Sequence, residues 1–211
     1  VTPVQTRDFS YDIKFVGTTM KNKFVSFSNS KFIGNDYYSQ GAVENPFGGY
    51  YLQRLEAGGS VGHFYMWKFG GINANGEWLV KDRNSNLLEL SQATDDDRQI
   101  VGNGMPKFTM STTHHFRYRN LDLTLFFSGA FDYQIFNIHD YFYGTRKFNG
   151  NVLKKAYGKN LKVSPGSQHA VTDYFLEDGD YFKLDQLTLG YTLRTPKLRF
   201  LDGIRVFGTV N

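Results

Sequence analysis

The sequence contains no cysteine, which excludes disulfide bonds and thiolate metal sites. It has no run of about 18 apolar residues, so no α-helix of this chain is expected to span a membrane. The 24 basic residues outnumber the 20 acidic ones only slightly and are spread along the chain, which leaves no basic stripe for nucleic acid. Aromatic residues are abundant instead, with 20 phenylalanines and 14 tyrosines, a load that suits lipid-facing girdles or a carbohydrate-contacting surface.

The stretch from Lys107 to Tyr133 predicts two long antiparallel strands joined by a turn at Arg119 and Asn120. In this register one face collects the apolar residues and the other is rich in serine and threonine, because side chains alternate between the faces of a strand. The charged residues then meet opposite charges across the strands. The register predicts two ion pairs on the polar face, Lys107 with Asp132 and Arg117 with Asp122.

The length of this hairpin indicates a membrane. Each arm runs for about twelve residues, roughly 40 Å, whereas strands of soluble domains usually stop after about five or six. A tilted membrane-spanning strand needs about nine to eleven residues. With aromatic residues near its ends, the hairpin is typical of a transmembrane β-barrel with a polar lumen, although a long hairpin in a soluble sandwich stays open as an alternative.

The flanking sequence predicts further strands and an alternation of connection lengths. Including the two arms, about eight strands are expected, the others at 9–16, 23–30, 50–56, 61–69, 181–193 and 204–210. Short connections at 17–22, 57–60 and 194–203 alternate with long ones at 31–49, 70–106 and 134–180. This pattern predicts an all-β, antiparallel barrel segment with long extracellular loops at one end and short periplasmic turns at the other.

Several ordered motifs resemble one family. VGNGMPKF at 101–108 followed by LDLTLFFSG at 121–129, DYFKLDQLTLGY at 180–191, GIRVFGTVN at 203–211 and VGHFYMWK at 61–68 are similar to segments of the SusC/RagA-type TonB-dependent transporters, outer-membrane proteins of Bacteroidetes. The resemblance implies a 22-stranded barrel. Eight strands would enclose only their own side chains, so this chain is expected to supply part of that larger barrel. Residues 1–211 would then form part of a single barrel domain, roughly strands 14 to 21. The plug domain and the final strand would lie outside this chain, which agrees with the lack of a signal peptide at its start.

The resemblance also implies a function. The whole protein is expected to import glycans or similar large nutrients across the outer membrane of a Gram-negative bacterium, without enzymatic activity and without a cofactor. Its expected partners are a SusD-like surface lipoprotein, TonB acting through an upstream segment, and outer-membrane lipid. A soluble carbohydrate-binding β-sandwich and a small independent outer-membrane barrel remain as alternatives.

No catalytic or metal-binding arrangement emerges from the sequence. His114 and His115 are adjacent, so they point to opposite faces of a strand and do not chelate one ion. The acidic runs at 95–97 and 177–180 do not follow the EF-hand spacing, and solvated loop charge is the preferred interpretation over Ca²⁺ binding.

The candidate substrate contacts are loop aromatic residues expected to stack on sugar faces, namely Tyr37, Tyr38, Tyr141 and Tyr143, together with Phe47, Tyr50 and Phe142. The alternative for these residues is packing of the loops on one another or on the surface lipoprotein. Lys107, Asp132, Arg117 and Asp122 are the candidate lumen-facing ion pairs, which would hold the register or line the path of the substrate.

Overall fold

The structure is a computed structural model that describes residues 1–43, 49–169, 171–194 and 203–211. Phe47 and most of the connection at 194–203 lie outside the described residues, as does part of the loop at 31–49. The strands, in chain order, are β1 (Val4–Gln5), β2 (Phe9–Thr19), β3 (Tyr37–Val43), β4 (Tyr50–Glu56), β5 (His63–Met66), β6 (Lys68–Ile72), β7 (Trp78–Lys81), β8 (Leu87–Glu89), β9 (Gln99–Asn103), β10 (Phe108–Tyr118), β11 (Leu121–Phe131), β12 (Gln134–Phe136), β13 (Leu176–Asp178), β14 (Tyr181–Arg194) and β15 (Gly203–Val210).

The chain divides into two compact units. The first, here the sheet unit, comprises Val1–Met20, Lys107–Asp132 and Asp180–Asn211. The second, the insert unit, comprises Lys21–Pro106 and Tyr133–Gly179 and includes the short helix α1 (Ile138–Tyr143). Among the described residues, no helix is long and apolar enough to cross a membrane.

The sheet unit is one antiparallel sheet of six strands in the order β1–β2–β10–β11–β14–β15. Its centre is the predicted hairpin, and the predicted register is confirmed from the pair Phe108 and Phe131 to the pair Tyr118 and Leu121. Arg119 begins the turn with a φ of 54°, the left-handed conformation that two-residue hairpin loops need to match the strand twist.

The predicted strand at 23–30 is wrong. Strand β2 continues to Thr19 and pairs directly with β10, with Thr19 opposite Phe108. Residues 23–30 form no strand: the backbone of Phe24 pairs with Gly58 and Gly59, Asn29 bridges Phe32, and Phe24 packs on Phe27 with ring centroids 4.3 Å apart. The residue types here are common in strands, but an extended ladder forms only where a neighbouring strand takes its hydrogen bonds. The short turn expected at 17–22 is likewise absent.

The expected strand at 50–56 is confirmed, but it lies in the insert unit, in the sheet β3–β4–β5–β9. The expected strand at 61–69 is divided between β5 of that sheet and β6 of the sheet β6–β7–β8. The break falls at Trp67, which is buried and bridges Thr172. Among the residues that the structure describes, the barrel-type sheet therefore holds six strands rather than about eight.

The segments predicted as long loops are folded. A hydrophobic cluster fills the insert unit, and its largest fully buried side chains are Trp78, Tyr141, Phe175 and Met66. Burying a side chain of this size is worth about 1.5–3 kcal/mol, so the insert unit has a hydrophobic core of its own. The same cluster contains no described residue of the sheet unit.

Candidate functional site

The candidate site is the polar face of the six-stranded sheet. The pairing of β2, β10, β11, β14 and β15 places residues of opposite character on opposite faces. The polar face carries Ser10, Asp12, Lys14, Thr18, Thr109, Ser111, Thr113, His115, Arg117, Asp122, Thr124, Ser128, Lys183, Gln186, Thr188, Thr192, Arg205 and Thr209, with Val16, Phe126, Ala130, Tyr181 and Phe207 as less polar exceptions.

The opposite face is almost entirely apolar. It carries Phe9, Tyr11, Ile13, Phe15, Phe108, Met110, Phe116, Tyr118, Leu121, Leu123, Leu125, Phe127, Phe131, Phe182, Leu184, Leu187, Leu189, Tyr191, Leu193, Ile204, Val206 and Val210.

None of these apolar side chains is fully buried, and many of them are largely exposed. Phe15 is 60% exposed, Leu189 47% and Val206 62%. An apolar surface of this extent is unusual on a soluble monomer and marks contact with lipid or with another protein. Aromatic residues lie at both ends of the strands. Phe108 packs on Phe131 at one end, and Tyr118 and Tyr191 lie near the Arg119 turn, as in the interfacial girdles of membrane barrels.

Ion pairs join neighbouring positions on the polar side of the sheet unit. Lys107 Nζ lies 2.9 Å from the Asp132 carboxylate, as the register predicted. A second pair joins Lys183 to Asp185 at 2.8 Å. Both lysines are more than half exposed, so the pairs contribute little to stability and leave charge available to solvent.

The predicted ion pair between Arg117 and Asp122 is replaced by another. The two residues are opposed across β10 and β11, but the guanidinium that reaches Asp122 is that of Arg205, with nitrogen–oxygen distances of 2.5 and 3.0 Å. Arg205 lies two strands away and crosses β14 above Gly190, where a β-carbon would come within 2.7 Å of both partners. The register of the β10–β11 hairpin does not include β15, so it did not predict Arg205 as the partner of Asp122. The glycine at position 190 was the one feature of the sequence that pointed to this pair.

The paired histidines point to opposite faces, as predicted. His114 lies on the apolar face, where its ring nitrogens are 2.6 Å from the Tyr11 hydroxyl and 3.1 Å from that of Thr112. His115 lies on the polar face, 3.0 Å from the Thr124 hydroxyl. Each ring therefore has a structural partner.

The candidate substrate tyrosines differ in accessibility. Tyr37 and Tyr38 on β3 are 44% and 56% exposed. Tyr141 is fully buried in the insert core, so it cannot stack on a substrate, and the prediction of a substrate contact at this residue is wrong. Tyr143 packs edge-on against Phe148 with centroids 5.0 Å apart. The packing interpretation therefore applies to Tyr141, whereas Tyr37 and Tyr38 remain candidates.

The interior of the insert unit contains one strongly perturbed histidine. Burial lowers the pKa of His169 to about 4, and its Nε2 donates to the Tyr141 carbonyl oxygen at 2.7 Å. The nearby Lys147 charge acts in the same direction. Burial also raises the pKa of the Tyr141 hydroxyl well above its usual value. Both groups are therefore neutral at physiological pH.

The acidic runs have structural roles. Asp97 accepts hydrogen bonds from the backbone nitrogen and hydroxyl of Thr94, and Asp95 pairs with Arg98 at 3.0 Å. Glu177 accepts from Asn137 at 2.7 Å. Among the described ranges no group of three or more histidine, cysteine, aspartate or glutamate side chains is placed to hold a metal ion.

Comparison with known proteins gives consistent results. No family model matches the chain. The TonB-dependent receptor P3 of Formosa agariphila is 27% identical over 216 residues, covering 90% of this chain and 20% of the receptor. The RagAB peptide transporter is 17% identical and superposes with a TM-score of 0.71 over 99% of this chain and 24% of the transporter chain. The RagAB peptide importer in its closed-closed state gives 18% identity and a TM-score of 0.75 over 100% of this chain and 25% of the importer chain.

The fold defines the class: a long amphipathic antiparallel sheet of TonB-dependent barrel type. Within that class, the predicted resemblance to the SusC/RagA-type TonB-dependent transporters is confirmed. The chain spans 20% of the receptor it matches and 24–25% of the solved RagAB chains. These relatives are a receptor and transporters, which agrees with the prediction of a non-enzymatic protein.

Proposed function

We propose that these residues form a section of barrel wall and surface loops in a TonB-dependent importer of the Gram-negative outer membrane. The observation that carries the proposal is the separation of the two sheet faces, one apolar and exposed, the other bearing hydroxyls and ion pairs. In a bilayer the apolar face meets lipid and every backbone polar group is satisfied between strands. The polar face then lines a water-filled lumen.

The connectivity supports the same arrangement. Both long excursions, 21–106 and 133–179, leave and re-enter the sheet at the strand ends where Thr19, Phe108, Phe131 and Tyr181 meet. The two-residue turn at Arg119 lies at the opposite ends. Barrels of this kind have long extracellular and short periplasmic connections, so we assign the insert unit to the extracellular side.

The remaining parts of the transporter are proposed by analogy with the relatives. The rest of the barrel, a plug domain and the segment that contacts TonB would lie beyond these 211 residues. A SusD-like surface lipoprotein is the proposed partner of the extracellular loops. Residues 1–211 would then belong to one barrel domain, with the insert unit as its folded loops.

The substrate is proposed as a large nutrient, with glycans as the favoured class. The exposed tyrosines Tyr37 and Tyr38 favour sugars, because an aromatic ring packs well on the apolar face of a pyranose. The RagAB relatives are peptide transporters, which makes peptide the competing class.

The test compares two adjacent apolar residues that differ in the face they occupy. Leu125 opposes His114 on the apolar face, and Phe126 opposes Thr113 on the polar face. Leu125→Arg is expected to block outer-membrane assembly, because an arginine facing lipid near the bilayer centre costs about 2–4 kcal/mol. Phe126→Arg is expected to assemble normally, since its charge enters the lumen.

Assembly of the complete transporter is read from heat-modifiable migration of the outer-membrane fraction on gels. A soluble sandwich would reach no outer-membrane fraction with either variant. Equal assembly of both variants would contradict the assignment of the faces.

A further inference from the structure

One segment of the insert unit is strongly basic. Residues 141–169 contain six basic side chains and no acidic one, namely Arg146, Lys147, Lys154, Lys155, Lys159 and Lys162. The remainder of the insert unit is acidic on balance, so the imbalance is local to this segment.

Half of these charges are used to hold the segment together. They pair with oxygen atoms of the insert unit: Arg146 with the Leu161 carbonyl at 2.9 Å, Lys155 with the Asp140 carboxylate at 2.6 Å, and Lys147 with the Ser167 carbonyl.

The other three lysines are exposed and lie within five residues of an exposed tyrosine in the chain. Lys154 and Tyr157 are the first and last residues of a 3₁₀-helix, where side chains three positions apart eclipse one another. Tyr157 is 67% exposed, and Lys159 and Lys162 follow within five residues, both exposed. We call Lys154, Tyr157, Lys159 and Lys162 the lysine patch.

The backbone beneath the lysine patch is fixed. Asn160, in its centre, is buried, donates to the Gly144 carbonyl at 2.7 Å and accepts from the Tyr174 hydroxyl. Its backbone nitrogen donates to the Lys155 carbonyl at 2.9 Å. The Lys159 ammonium lies 5.0 Å from the centroid of the Tyr174 ring. A ligand therefore meets a pre-ordered surface and need not order a loop on binding.

We propose that the lysine patch binds an anionic glycan, one that carries carboxylate or sulfate groups. The proposal rests on the proposed import function and names the substrate class. The three ammonium groups pair with the anionic groups of the polymer, and the Tyr157 ring packs on the apolar face of a sugar between them. This combination of exposed ring and flanking cations distinguishes a charged sugar from a neutral one.

The first test measures binding of dextran sulfate and of neutral dextran to the complete transporter in detergent, by calorimetry at low salt. Dextran sulfate is expected to bind and neutral dextran to bind at least tenfold more weakly. The triple variant Lys154→Gln, Lys159→Gln, Lys162→Gln is expected to weaken dextran sulfate binding by about tenfold or more, given the usual strength of exposed ion pairs. Raising the ionic strength should weaken wild-type binding in the same direction.

Matched variants distinguish an effect of the lysine patch from a general effect of positive charge on the insert unit. A control triple variant removes the same charge from exposed positions elsewhere in the insert unit and is expected to leave binding unchanged. It carries Lys21→Gln, Lys23→Gln and Lys31→Gln. Replacing the three lysines of the patch by arginine is expected to preserve binding, which would show that charge is required and that the segment still folds.

The ring is tested separately. Tyr157→Ala should weaken dextran sulfate binding severalfold and Tyr157→Phe should leave it unchanged, because the ring and not the hydroxyl makes the proposed contact.

Two results with the dextrans would overturn the proposal: equal binding of dextran sulfate and neutral dextran, or an equal loss of binding in the control triple variant. A third would be that polyglutamate binds the lysine patch as tightly as dextran sulfate and that Tyr157→Ala does not weaken this binding. The last would identify an acidic peptide as the ligand instead. Assembly of the Leu125 and Phe126 variants is measured independently, so these outcomes leave the import function standing.

Discussion

Gly190 shows how a single residue can allow an interaction between its neighbours on either side. It lies on the middle strand of three, and the Asp122–Arg205 ion pair passes above it. The sequence shows a glycine at this position, but it does not show the ion pair that leaves no room for a larger side chain. The ion pair joins residues 83 positions apart, and no local pattern links them.

Gly190→Ala is predicted to lower the urea midpoint of the assembled barrel, because the added methyl group displaces the Asp122–Arg205 pair. Gly208→Ala on the next strand is the matched control. A β-carbon there meets nothing within 4 Å, so this variant should be neutral or slightly stabilising. Asp122→Asn should lower the midpoint in the wild type and have less effect in the Gly190→Ala background. Additive effects would show that the methyl group acts elsewhere.

At the scale of elements, the contrast between β10–β11 and the segment 23–30 shows what alternation can predict. The hairpin is a local pairing across a two-residue turn, so its register follows from the residues of the hairpin itself. The segment 23–30 also contains residue types that are common in strands, but it has no neighbouring strand to pair with. Strand formation depends on such a partner, and the partner is a property of the tertiary structure.

The segment that follows α1 is predicted to loosen at acidic pH. His169 has a folded pKa of about 4, below its ordinary value of about 6.5, because burial favours the neutral ring. The contribution of His169 to stability is complete above about pH 6.5 and is lost as the pH falls toward 4. Over this range the histidine binds a proton in the unfolded state but stays neutral in the folded state. The loss is at most about 3 kcal/mol.

Hydrogen–deuterium exchange of residues 138–175, corrected for the intrinsic pH dependence of exchange, measures this loosening. Protection should fall between pH 6.5 and 4 in the wild type and be nearly constant over that range in His169→Gln. His139→Gln, which removes an exposed histidine of α1, should behave as the wild type. An unchanged pH dependence in His169→Gln would assign the effect to another group.

At the scale of the molecule, the two compact units bury apolar residues differently. The insert unit packs them around Trp78 and Phe175, whereas on the apolar face of the sheet unit none of the side chains named above is fully buried and many are exposed. A protein in water covers such a face, and a membrane protein does not need to.

The complete protein is therefore predicted to require detergent. Size-exclusion chromatography should show a monodisperse species in detergent and aggregates after its removal. A soluble sandwich would remain monodisperse without detergent, and that result would contradict the membrane assignment. The sheet unit is the cause, because its apolar face has no other cover among the described residues.

The sequence by itself determined the central hairpin, its register, the separation of the two faces and the resemblance to SusC/RagA-type transporters. These features depend on alternation and on short-range order, which are written in neighbouring residues. Only the tertiary structure decided that β2 pairs with β10, that Arg205 and not Arg117 reaches Asp122, and that Tyr141 is buried. Each of these depends on segments brought together from distant parts of the chain, where pairing and packing across the fold choose among partners that the local sequence leaves equivalent.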